Sequence, residues 1–345
     1  MGESLNLILV GGGLTLGLVF GAVVQRSRFC LLAAVSNQVL MGDRRQLNAY
    51  LVALAVAILG TQALDSGGWV AIAESSYRGA RIDWLGTTLG GLLFGFGTTL
   101  AGGCAARTLV GAAEGNGGAL LALLAFALAA TATQFGALEP LRTWLLAASA
   151  VESPVGDSSL AALLGVPAWA LAVLVAGTGV ALVVASAADH RGGGLLGAGA
   201  AVGALVVAGW WLTGYAAQDA FSATRPASLT FSGPVARVSE YLLAGRDSGS
   251  GFDLALAAGA LGGAWLSSLL SRQRRWVPPD PGHVRHNLAG GALMGVGAIL
   301  AGGCNIGQGL SGMSTLSFGS LLAVIGILLG MRLGIAWLQR SEGAG

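Results

Sequence analysis

No lysine occurs anywhere in the chain; all 18 basic residues are arginine. A GxxxxGK[ST] phosphate loop is therefore impossible, and P-loop nucleotide chemistry with it. Charge is scarce as well, at 10% of 345 residues, where a soluble domain carries about a quarter. Thiols and imidazoles are few, with three cysteines and three histidines. No two cysteines stand in Cys-x-x-Cys spacing and none has a histidine beside it, which argues against zinc, iron–sulfur and thioredoxin-type sites. The odd count argues against a complete disulfide framework. No metal site and no cofactor are expected. The arginines are scattered through loops and the formal charge is only +2, so no basic face for nucleic acid is expected. The start, "MGESLN", lacks a basic n-region, so the first apolar run is expected to be a retained span.

What fills the chain instead is apolar side chain and glycine: 54% hydrophobic residues and 58 glycines. A bilayer span needs roughly 20 mainly apolar residues. Nine runs are candidates: 4–24, 47–64, 85–103, 117–136, 167–187, 194–212, 251–271, 288–303 and 317–338. The expected fold class is an all-α polytopic membrane protein, because lipid offers no water to open backbone groups. The runs are Gly/Ala/Leu blocks without the ~10-residue alternation of a membrane barrel. With the N-terminus outside, the inner loops hold Arg26, Arg28, Arg44, Arg45, Arg107, Arg191, Arg272, Arg274, Arg275, Arg285 and Arg340. The outer loops hold Arg78, Arg81, Arg142, Arg225, Arg237 and Arg246, and Arg332 lies within a span. That bias predicts an outer N-terminus and a cytoplasmic C-terminus. Trp69, Trp84, Trp210, Trp211, Trp276 and Trp337 fall near span ends, as an interfacial belt requires.

The chain also repeats itself. Residues 90–104 read GGLLFGFGTTLAGGC and residues 290–304 read GGALMGVGAILAGGC, a gapless match at 10 of 15 positions. The run 117–136 answers 317–338, and "QRSRFCLLAAVSNQVLMGD" (25–43) answers "TRPASLTFSGPVARVSEYLLAGRD" (224–247). Spans 1–4 thus return as spans 6–9, with a first repeat over 1–140, a connector with span 5 over 141–190 and a second repeat over 191–345. The shift is five spans, an odd number, so the halves are expected to be inverted. Inverted repeats with broken helices meeting near the midplane are a transporter architecture.

Each Gly-Gly-Cys is followed by a segment too short to span, Ala105–Ala113 and Asn305–Met313. The pattern predicts a re-entrant hairpin at each, and Cys30 opens a comparable short segment. Non-helical backbone at membrane depth survives only when buried in protein or lining a cavity. Gly102, Gly103, Gly302 and Gly303 would supply the turns, since glycine reaches positive φ and lets a ligand approach the main chain. Free amides at the start of each short helix, with the helix dipole, favour an anion. Cys104 and Cys304 add soft sulfur and a weak donor. The matching substrate is a small anion with a soft end and an oxygen-rich end, such as thiosulfate; sulfite, sulfide and a selenium analogue stay open.

The signatures "RSRFC" (26–30), "AGGC" (101–104) and "AGGCNIGQGLSG" (301–312), in a nine-span glycine-rich chain, resemble the YeeE/YedE family of sulfur transporters. The resemblance covers nearly the whole chain. It implies an hourglass-like protein in a bacterial cytoplasmic membrane with a central path marked by Cys30, Cys104 and Cys304. It also implies a small cytosolic partner similar to the TusA sulfur carriers. The second half lacks a fourth cysteine, since Leu229 or Thr230 stands opposite Cys30.

Around the path, Arg26 and Arg28 flank Cys30, where they would attract a dianion or serve as topological anchors. Arg107 lies on the segment after Cys104, where a charge is costly unless it faces protein or water. Asn305 and Gln308 could donate to substrate oxygens or cap the second short helix. His283 and His286, beside three arginines and without a third ligand, read as a solvated loop. The expected function is uptake of thiosulfate or a related anion along a relay of Cys304, Cys104 and Cys30. The competing classes are a membrane sulfurtransferase carrying a cysteine persulfide and an accessory subunit of a larger importer.

Overall fold

A computed structural model describes residues 2–186, 193–216, 225–245 and 251–342; Arg191 and Arg246 lie outside the described residues. The first half contains α1 (Gly2–Ser27), α2 (Leu31–Met41), α3 (Arg45–Ser66), α4 (Trp84–Ala101), α5 (Ala105–Glu114) and α6 (Gly117–Gln134). A connecting region follows with α7 (Glu139–Ser149), α8 (Leu160–Leu164) and α9 (Ala168–Ala185). Then come α10 (Gly193–Trp211), α11 (Ser232–Ala244), α12 (Gly251–Leu270), α13 (Val284–Leu300) and α14 (Phe318–Glu342). Strands β1 (Arg81–Asp83) and β2 (Ala150–Glu152) pair antiparallel, Ile82 opposite Val151.

Eight helical segments among the described residues are long and apolar enough to cross a bilayer. The remaining expected span forms α13, whose 17 residues reach about 26 Å, somewhat less than the ~30 Å hydrocarbon core. Each of the nine expected runs coincides with a helix, and the short segments expected after Cys30 and Cys104 are α2 and α5. The segment after Cys304 differs: a π-helix, Gly307–Gly312, replaces the expected α-helix. Tyr50 and Ser320 press against it where β-carbons at Gly309 and Gly312 would stand, so the wider turn has glycine where neighbours leave no room.

Glycine sets the helix packing. On α1, Gly13, Gly17 and Gly21 lie successively against Phe252, Leu256 and Ala260 of α12, so the two helices run in the same direction. Gly199 and Gly203 of α10 lie against Ala49 and Ala53 of α3 in the same sense. On α4, Gly91 and Gly95 face the carbonyls of Ala323 and Ile327 on α14, while Gly291 and Gly295 of α13 face those of Ala122 and Phe126 on α6. At the centre, α4 and α13 cross antiparallel: Gly90 meets Ala301, and Gly290 meets Ala101. A β-carbon at any of these positions would collide with main chain, and small residues are what let membrane helices approach this closely.

The expected tryptophan belt needs one correction. Trp69, Trp84, Trp211, Trp276 and Trp337 are exposed, but Trp210 is fully buried. Its Nε1 donates to Ser314 Oγ at 3.1 Å, so it packs the interior behind the π-helix rather than facing the interface. His286 also departs from a loop, lying on α13 one turn after its N-cap His283.

Candidate functional site

Two turns with the same backbone organise the interior. After α4, Gly102 adopts φ +70° and the Gly103 amide donates to Thr98 O at 3.1 Å. After α13, Gly302 adopts φ +71° and the Gly303 amide donates to Ala298 O at 2.8 Å. Positive φ at a helix end is glycine's conformation. Cys104 then caps α5 in extended conformation, and its carbonyl accepts from Thr108 N at 2.8 Å. Cys304 does the same for Gln308 N at 2.7 Å. The amides between have no acceptor inside their own helix, and the positive end of the α5 dipole lies at the thiol.

All three thiols are free and buried. Cys30 caps α2 in extended conformation, and its Sγ stands 3.7 Å from Cys104 Sγ. Two helix N-termini therefore converge on one thiol pair. Cys304 lies in the same continuous buried cluster. Tyr50 of α3 spans the interval: its ring stacks on Phe29 at 5.8 Å and its hydroxyl donates to Asn305 O at 3.0 Å. No group of His, Cys, Asp and Glu among the described residues is arranged to hold a metal ion.

The remaining expected site residues divide sharply. Asn305 is buried, and neither Nδ2 nor Oδ1 finds a protein partner. A buried amide left unsatisfied costs about 1–3 kcal/mol, so both polar atoms of this side chain are open to a small polar partner. Gln308 is spent at both ends: Nε2 donates to Ala301 O at 2.6 Å and Oε1 accepts from Ser320 Oγ at 2.6 Å. It props the turn. Arg107 Nη2 reaches Glu114 Oε2 at 3.0 Å, while its Nη1 is buried without a partner. Arg28 is exposed and stands 3.6 Å from the same carboxylate oxygen. Arg26 turns toward α12, donating from Nε to Ser267 Oγ at 3.2 Å.

Beside Gly302 lies a cavity of about 380 Å³ lined by Arg81, Arg142, Arg237, Tyr77 and Gln308, among others. Arg237 pairs with Asp253 at 2.9 Å and Arg81 with Asp83 at 3.5 Å. Among the described residues Arg142 has no carboxylate partner, and its Nε is buried without a hydrogen bond. At the C-terminal end of α5, Glu114 gathers Arg28 and Arg107, and Gln25 Nε2 reaches its second oxygen at 3.3 Å. The segment 150–160 contributes Ser158 to the wall of the cavity beside Gly302, and Arg78 pairs with Asp157 and with Asp65 at 3.8 Å.

Sequence reasoning missed Tyr50, Glu114 and the Arg142 mouth. Glu114 did carry a signal: it stands seven residues after Arg107, on the same face of a helix. Tyr50 carried none, since one tyrosine in an apolar span reads as core. Arg81, Arg142 and Arg237 were legible only as topology, because their convergence depends on α7 packing against α4 and α6 and on α11 packing against α6 and α13.

Comparison with known proteins places these features in company. The family described as Sulphur transport matches residues 26–333. The chain is 27% identical over 343 residues to the thiosulfate transporter TsuA of Escherichia coli (strain K12), covering 94% of this chain and 93% of that protein. It is 27% identical to the thiosulfate transporter TsuA of Spirochaeta thermophila, over 93% of this chain and 97% of the relative. A shorter similarity, 29% over 115 residues, links it to the probable transporter YedE of Escherichia coli (strain K12), covering 33% of this chain and 26% of that protein.

Proposed function

Because the chain belongs to the Sulphur transport family and is a multi-pass membrane transporter rather than an enzyme, we propose that it carries thiosulfate into the cytoplasm past three cysteine thiols. The observation that carries this reading is the Cys30–Cys104 pair, 3.7 Å apart, at two converging helix N-termini. Thiosulfate is a dianion with one soft sulfur and three hard oxygens. Backbone amides, the helix dipoles and the Asn305 amide serve the oxygens, and the thiols offer weak donors to the sulfur.

The path runs from the arginine mouth through the Gly302 turn to Cys304, past Tyr50 to the thiol pair, and out beside Arg107. The order of travel rests on the arginine bias, which puts α1, α4 and α14 running outside to inside. Two inverted repeats, 1–140 and 191–345, joined by 141–190, suit this passage. Their support is the reciprocity of Gly90 with Ala301 and Gly290 with Ala101. A small cytosolic carrier similar to TusA would take the sulfur onward.

Uptake of labelled thiosulfate by proteoliposomes of the purified chain, with sulfate and sulfite as competitors, tests the reading. Saturable uptake, reduced at least about tenfold in Cys304→Ala and Cys104→Ala, is expected; that loss is about 1.4 kcal/mol of barrier. Absence of uptake by the wild-type chain, or unimpaired uptake by both variants, overturns it.

A further inference from the structure

We propose that Glu114 is a resident counter-ion that closes the exit below the thiol pair and is displaced by the departing anion. The inference rests on the transport reading above and adds a gating residue to it.

The geometry is that of an occupied anion site. Two guanidinium groups, Arg107 Nη2 at 3.0 Å and Arg28 Nη1 at 3.6 Å, converge on one oxygen, Glu114 Oε2. Gln25 Nε2 serves the other oxygen at 3.3 Å. The two arginines belong to the segments that carry the thiols: Arg28 precedes Cys30 by two residues, and Arg107 follows Cys104 by three. An anion leaving the thiol pair on this side therefore meets guanidinium groups already held by a carboxylate.

Local helix physics gives Glu114 no reason to be there. It is the last residue of α5, at the negative end of the helix dipole, where a carboxylate is disfavoured. Its side chain is also only 11% exposed. The arginines offset both costs, and the arrangement ties α1 to α5 on either side of the thiols. Gln25 extends the tie, reaching Gln273 Oε1 at 3.1 Å beyond the end of α12.

The site is also incompletely used. Arg107 Nη1 is buried and has no partner, and Arg28 is exposed to solvent on one side. A second anion can thus make contact before Glu114 lets go, and the exchange needs no moment with two bare cations. With the dianion docked, the pocket holds two positive and three negative charges, so Glu114 and the substrate repel each other. Return of Glu114 then expels the substrate toward the arginine-rich face. Glu114 acts through the arginines and is a positioning residue.

The test is inhibition of proteoliposome uptake by thiosulfate loaded on the lumenal, cytoplasm-equivalent side. Glu114→Gln leaves two uncompensated guanidinium groups of similar shape. It should retain product, so half-inhibition falls at about tenfold lower internal thiosulfate, a change of about 1.4 kcal/mol, while the maximal rate drops. Glu114→Asp, which keeps the charge, should restore most of the wild-type rate. Arg28→Gln removes an exposed cation and should shift half-inhibition the other way. If Glu114→Gln cannot be reconstituted, the Arg28→Gln shift decides alone. Wild-type inhibition constants in the recoverable variants overturn the gate. A wild-type chain that does not transport overturns the transport reading instead.

Discussion

The segments after α4 and α13 begin alike and then part. Gly102 and Gly302 share φ within a degree, Gly103 and Gly303 close the same hydrogen bond, and Cys104 and Cys304 each open the following turn. Three positions on, Arg107 stands where the other half has Gly307, and Glu114 stands where it has Ser314. One half carries its charge on the short helix itself. The other carries hydroxyls, Ser311, Ser314 and Ser320, all buried and bonded. It borrows its positive charge from Arg81, Arg142 and Arg237 on other elements. Glycine and backbone are thus common to both sides, while the electrostatics differ, as the proposed passage, with binding on one side and release on the other, would require.

The shared part is the one whose loss costs most. Gly95→Val and Gly295→Val drive side chains into the carbonyls of Ile327 and Phe126 respectively. Both should cost more than about 4 kcal/mol and yield no monodisperse protein on size-exclusion chromatography. If one half tolerates the change and the other does not, the scaffold is less symmetric than its glycines.

Next come the turns' polar chemistry. Arg142→Gln removes a cation without a carboxylate partner among the described residues, at the mouth proposed to face outward, and should raise KM for external thiosulfate about fivefold, with little change in maximal rate and a weaker dependence on salt. Arg107→Gln should leave external KM nearly unchanged and lower the maximal rate, because on the proposed path its guanidinium follows the thiols. Equal KM effects from both variants would collapse the distinction between an entrance and an exit.

Much of this was legible in the residues. Nine apolar runs predicted nine helices, since a span's length and hydropathy are local properties. The Gly-Gly-Cys turns were legible because positive φ selects glycine. The π-helix was not, because its glycines answer to Tyr50, more than 250 residues from Gly309, as well as to Ser320, eight residues from Gly312. Gln308 was expected to donate to substrate oxygens or to cap the short helix, and its amide bonds Ala301 and Ser320; which acceptors an amide finds is a tertiary fact. Trp210 sat near a predicted span end but inserts behind Ser314. Trp210→Phe should cost about 1 kcal/mol, the net worth of one hydrogen bond, seen as a small fall in thermal midpoint. A comparable change at exposed Trp337 should cost less.

The smallest effect should come from Asp157, in the segment that adds Ser158 to the wall of the arginine-lined cavity. Burial opposes ionisation of Asp157, but hydrogen bonding and charge from Arg78, with Ser159, outweigh it and hold the carboxyl below its usual range. A lowered folded-state pKa stabilises the fold above the ordinary aspartate range and ceases to do so as pH falls through the lowered value. Asp157→Asn should therefore lower the thermal midpoint slightly near pH 7, since partly exposed pairs contribute about 0–1 kcal/mol. The gap from wild type should narrow as pH drops below about 4. Asp157 is paired with Arg78 and not with the Glu114 cluster, so the same variant should leave inhibition by internal thiosulfate untouched if the proposed gate is right. A shift in that inhibition would mean the two mouths are mechanically linked, and the division into an entrance held by loops and an exit held by Glu114 would have to be given up.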